Sequence, residues 1–95
     1  MDTTAIEAKW AREGYAVDVE RKTFPPHLST PPHSHPFDAR VLVLAGAFTL
    51  TWQGQMRTFY PGEYFEVATG CLHSQHYGLE GATFLIARKH SPTEV

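Results

Sequence analysis

Apolar and polar residues alternate in short runs along most of this chain, and only the first dozen positions depart from that rhythm. Ile6 and Trp10 stand four apart among polar neighbours, the spacing of one helical face. Thr4-Ala5-Ile6-Glu7 has the form of a capping box and Gly14 is placed as a stop, so a short helix is predicted over about residues 4–13. Its expected role is a lid or brace packed on the body of the domain. From Tyr15 the period becomes two: Tyr15, Val17 and Val19 alternate with Ala16, Asp18 and Glu20, the pattern of a half-buried strand. Residues 24–36 carry five prolines and are expected to be extended but poorly paired. Short β-rich runs follow at 40–44, 48–53, 55–60, 64–67, 72–77 and 83–88, punctuated by Gly46, Gly54, Pro61-Gly62, Gly70 and Gly78…Gly81. Many short strands and one small helix predict an all-β sandwich or barrel.

Val41-Leu42-Val43-Leu44 is apolar at both parities, so that strand should be covered on both faces. One face would line the interior. The other must meet a helix or another subunit, and a homodimer is the economical expectation.

The 95 residues fit one domain, predicted to span 1–95, and at that size only about 60–65% of the unfolded surface is buried. A hydrophobic content of 42%, with 13% aromatic residues, is enough for one core. The net charge is −2 with both signs interspersed, which leaves no basic field for nucleic acid or anionic lipid. No apolar run approaches the roughly 18 residues of a membrane-spanning helix, and Met-Asp-Thr-Thr does not open like a signal peptide. Cys71 is the one cysteine and has no internal partner, in keeping with a reducing, cytoplasmic setting.

The chemistry concentrates in histidines. In a strand, residues two apart share a face, so His33 and His35 can present two imidazoles to one point. A third from His73 would complete a three-nitrogen site with positions left for water or substrate. In polyproline II, which Pro31, Pro32 and Pro36 favour, the first two rings would diverge; they converge only if the segment is extended as a strand.

His33-Ser34-His35 is followed by Gly46, and then by Gly62, Gly70 and His73 in the order Gly62-x7-Gly70-x2-His73. Over about residues 27–77 this resembles the two-motif signature of the cupin family, Gly-x5-His-x-His-x3,4-Glu-x6-Gly and Gly-x5-Pro-x-Gly-x2-His-x3-Asn. The resemblance implies a small jelly-roll β-barrel with one short N-terminal helix. It also implies a divalent transition metal (zinc, iron, nickel, copper or manganese) held by His33, His35 and His73.

The chain departs from the signature at His27, Ala39, Ala68 and Tyr77, which stand where the family has glycine, glutamate, proline and asparagine. Ala39 matters most, because the glutamate is usually the fourth ligand. An all-histidine set leans toward zinc, copper, nickel or iron(II). Asp38, Cys71 and His76 are the candidates to replace the missing ligand, Asp38 and His76 only through irregular backbone. Cys71 is more simply a small core residue, Arg40 an outer-face or dimer-contact residue, and Tyr60, Tyr64 and Tyr77 packed aromatics. His27 and His90 read as loop and tail histidines.

Two functions of different class follow. One is a metalloenzyme acting on a small organic molecule, its reaction type open because no general base is evident. The other is a small-molecule binding or sensing module, resembling the ligand-binding barrel of transcription regulators. A decayed, purely structural barrel is a weaker third.

Overall fold

The computed structural model describes residues 2–16 and 20–90. Helix α1 covers Thr4–Arg12 and is followed by strands β1 (Glu20–Phe24), β2 (Phe37–Trp52), β3 (Gln55–Phe59), β4 (Tyr64–Val67) and β5 (His73–His90). Val17, Asp18 and Val19, part of the strand expected from Tyr15, lie outside the described residues.

All pairings are antiparallel. The sheet runs β1-β5-β2-β3, with β4 also on β2, and the all-β class with one short helix is as the patterning implies. Four of the expected short strands are in fact halves of two long ones. Gly46 lies inside β2 and Gly78 and Gly81 inside β5, where turns had been read. The reason is local: the β2–β5 register slips between Val43 and Ala45 and again between Gly46 and Phe48. Gly46 and Gly81 take φ of +74° and +71°, and a Cβ on Gly46 would sit 2.2 Å from the Gly81 carbonyl oxygen. These glycines let the strands bend sharply while staying paired, which wraps the sheet around its own inner face.

The start of α1 also differs from the expected capping box. Thr3 is the N-cap residue, and Asp2 accepts the Thr4 N–H at 2.9 Å. Glu7 instead accepts from the Thr3 hydroxyl at 2.6 Å. At the other end Tyr15 N–H reaches the Trp10 carbonyl (3.0 Å) and Gly14 N–H the Ala11 carbonyl (3.1 Å), a Schellman stop with Gly14 at φ +93°.

Two apolar clusters result. Val41, Val43, Phe48, Leu50, Phe59, Phe65, Val67, Tyr77 and Phe84 fill the concave side of the sheet. On the outer side Leu42, Leu85 and Ala87 meet Trp10 and Tyr15, with Ile6 packed against them. The second face of the 41–44 run is thus covered at Leu42 by the chain's own helix. Arg40 fastens this brace: its guanidinium donates to the Glu13 carboxylate, pairs with Glu66 at 3.5 Å and lies 4.4 Å from the centre of the Tyr15 ring. Tyr15 donates to Glu66 at 2.9 Å, and burial first, then that bond, pushes its phenol up to about 12.

Candidate metal centre

The proline-rich segment before β2 runs along the first half of β5 as an irregular partner. Prolines cannot donate, so the pairing reduces to isolated bridges at Ser29–His76 and His33–His73. At the second, His33 N–H donates to the His73 carbonyl (2.8 Å) and His73 N–H returns the bond (2.9 Å). Gly70 N–H then donates to the His35 carbonyl at 2.9 Å. Where the ladder lacks a backbone acceptor, the Thr30 hydroxyl takes the Gln75 N–H at 3.0 Å. These bonds hold residues 33–35 extended despite the flanking prolines.

The three rings therefore meet. Ring centres are 4.9 Å apart for His33–His35, 4.4 Å for His33–His73 and 5.2 Å for His35–His73. One nitrogen from each lies within 4.8 Å of the others. Three imidazoles on one ion at 2.0–2.1 Å would stand roughly 3.3 Å apart, so small side-chain rotations close the set.

Tautomer supplies the fit test. His33 Nδ1 lies 2.8 Å from the Pro31 carbonyl and His73 Nδ1 lies 2.9 Å from the Cys71 carbonyl. A carbonyl only accepts, so both Nδ1 atoms carry a proton, and in the neutral form of each ring the lone pair is on Nε2. This is the outer arrangement that fixes metal-binding imidazoles. His35 is oriented differently, stacked on Phe37 with 4.9 Å between ring centres. Burial, then the neighbouring imidazoles His33 and His73, then Arg88, hold the His35 pKa below its ordinary value. Burial also lowers His73, opposed by its bond to the Cys71 carbonyl. Neutral rings near pH 7 are what ligation requires. The donor set fits a borderline divalent ion.

The rings line a cavity of about 150 Å³ whose walls include Phe24, Phe37, Val41, Phe65, Phe84 and Ile86. Drug-sized sites run to about 300–1,000 Å³, so this one suits a small molecule. Its other polar lining is Gln75, Tyr77 and Arg88. Tyr77 donates to the Gln75 amide oxygen at 3.1 Å, and burial pushes its phenol up to about 12.

None of the candidates for a fourth ligand joins the cluster. Asp38 faces away and accepts from the Thr69 N–H (2.7 Å) and hydroxyl (2.9 Å), which hold its carboxyl below the usual range. His76 is exposed, with Nδ1 2.7 Å from the Ser29 hydroxyl and its ring 6.2 Å from that of His27. Cys71 packs against the core and contributes its carbonyl to His73, not its thiol to the cavity. Ala39, in the glutamate position, does line the cavity and presents only a methyl group. Tyr60 and Tyr64 are surface residues.

Sequence reasoning missed Arg88. The signal was present: Arg88 shares parity with Phe84 and Ile86, so a charged residue stands on the face of β5 that turns inward.

Comparison with known proteins places the fold. No family model matches the sequence, and no curated protein is significantly similar to it. Solved structures are similar. A cupin superfamily protein from Desulfitobacterium hafniense superposes with a TM-score of 0.69 at 18% identity, over 77% of this chain and 66% of that one. A cupin-2 domain protein from Shewanella frigidimarina gives 0.64 at 20% identity, over 79% of this chain and 74% of that one. The DMSP lyase DddQ from Ruegeria pomeroyi gives 0.70 at 20% identity, over 81% of this chain and 40% of that one. The chain has the cupin fold. It spans just under two thirds of the Desulfitobacterium protein and two fifths of the lyase.

Proposed function

We propose that the protein is a small metal-binding cupin, with one divalent transition metal held by His33, His35 and His73 and open positions turned toward the cavity. The observation that carries this reading is the pair of Nδ1–carbonyl bonds, which leave both Nε2 lone pairs on one cluster of rings. A bound divalent ion supplies Lewis acidity, acidifying water or polarising a carbonyl or enolate. The chain's own residues supply the setting: apolar walls limit water, and Gln75, its oxygen engaged by Tyr77, keeps its amide N–H groups for a ligand. Titration with cobalt(II) tests the site. The visible absorption should saturate at one equivalent and be lost in His33→Ala; binding that survives that substitution counts against it.

The cavity favours two roles, an enzyme for a small organic molecule or a small-molecule sensor. The absence of a carboxylate among the described lining residues, with Tyr77 protonated far above neutral pH, favours the sensor or a reaction that needs no protein base beyond histidine. Retention of a small ligand without turnover would decide for the sensor. The reading also takes the protein as a cytoplasmic homodimer, the exposed Met56, Leu72 and Leu79 being apolar surface for a second copy to cover.

A further inference from the structure

Two of the three imidazoles depend on one short turn. The Ala68 carbonyl accepts the Cys71 N–H at 3.0 Å, and Gly70 between them takes φ of +77°, which closes residues 68–71 tightly. From this turn the Cys71 carbonyl meets His73 Nδ1 at 2.9 Å. The Gly70 N–H donates to the His35 carbonyl at 2.9 Å. Packing contributes little to holding the turn, because Ala68, Thr69 and Gly70 are exposed, and a Cβ on Gly70 would meet nothing within 4 Å.

Asp38 holds it instead. The β2–β4 ladder ends at Ala39–Val67, and Asp38 is the neighbouring residue of β2. Its Oδ1 accepts both the Thr69 N–H at 2.7 Å and the Thr69 hydroxyl at 2.9 Å. A side chain thus continues the attachment just past the last backbone pair, through bonds to a carboxylate, which are stronger than neutral ones. Phe37, one residue earlier, lines the cavity and carries the ring on which His35 stacks. Asp38 therefore links the strand that supports His35 to the turn that orients His73. Its hydrogen bonds go to that turn and not to the rings, so it acts on the imidazoles from outside.

We infer that Asp38 is a positioning residue of the metal centre. By fixing the 68–71 turn, it keeps the Cys71 carbonyl on His73 Nδ1 and the Gly70 N–H on the His35 carbonyl. A loosened turn frees the His73 ring to adopt its other neutral tautomer, with the proton on Nε2 and no lone pair there for an ion. The inference rests on the proposed metal site for its consequence, whereas the tautomer that Asp38 fixes is a property of the metal-free protein.

Two measurements test it. One is heteronuclear NMR of the histidine side chains in the metal-free protein, above neutral pH. The other is competition between the protein and a chromogenic chelator for zinc. The wild-type protein should show His73 as the Nδ1–H tautomer. Asp38→Ala should show a mixture of the two tautomers and bind zinc roughly tenfold more weakly, the low end of the range for losing an outer partner. Asp38→Asn keeps an oxygen that accepts both Thr69 bonds. It should retain the wild-type tautomer and bind zinc within about threefold of wild type, which guards against a folding defect in the alanine variant.

The wild-type tautomer or wild-type affinity in Asp38→Ala would overturn the inference, because a turn cap that serves stability alone moves only the urea midpoint. Equal losses in the alanine and asparagine variants would also overturn it, since the charge itself or direct ligation would then be the cause. If the wild-type protein takes up no metal, the metal site fails and the tautomer shift alone decides for Asp38.

Discussion

His73 carries more of the site than either of the other rings. It is 2% exposed, its backbone bonds reciprocally to His33, and its Nδ1 is held by the Cys71 carbonyl. Replacement by alanine should weaken metal binding by more than the roughly 10–100-fold typical of losing an outer partner, which competition with a chromogenic chelator would measure. The lowered pKa values of His35 and His73 set the pH response. Buried neutral imidazoles resist protonation, while the unfolded chain takes up protons from about pH 6.5 downward. Between that value and the lower folded values the unfolded state binds more protons. Stability is therefore full above about pH 6.5 and falls as the pH drops below it. Urea midpoints of the metal-free protein at pH 7.5 and 5.5 should show this loss, and His73→Ala should reduce it.

The long strands show where patterning succeeds and where it stops. Patterning placed the segments that make up β2 to β5 but not β1, which begins at Glu20, where the strand expected from Tyr15 was to end; the helix ended within a residue of expectation because Gly14 stops it. It could not tell Gly46 and Gly81 from turn residues, since a bulge and a turn both use positive φ; only the facing strand distinguishes them. Ala39 and Asp38 were readable by parity, and Arg88 was readable in the same way from its shared parity with Phe84 and Ile86. The proline segment was legible as extended, whereas its convergence on His73 depends on partners some forty residues away along the chain. Gly81→Ala should cost at least about 2 kcal/mol, combining left-handed strain with a Cβ placed 2.2 Å from the Phe24 carbonyl oxygen. Trp10→Ala should cost about 3–5 kcal/mol, because the ring is 1% exposed and is the centre of the outer cluster. Thermal or urea unfolding followed by circular dichroism would register both, and a change under 1 kcal/mol in either would contradict the packing described.

At the scale of the whole molecule, the helix closes the outer face of the sheet and the histidines stand at one end of the inner core. Metal binding to the folded state alone should add about 2.7 kcal/mol at a hundredfold excess over Kd, raising Tm by roughly 10 °C for a domain of this size. Excess chelator should reverse that rise. Light scattering should return twice the mass of one chain; a monomer would remove the dimer from the proposal without touching the site. The central claim is that three imidazoles hold one ion. Elemental analysis of protein purified without a histidine tag should find about one equivalent of a single transition metal, and His73→Ala should bring it to background. A wild-type protein without metal after loading, or a variant with the same content, would contradict it.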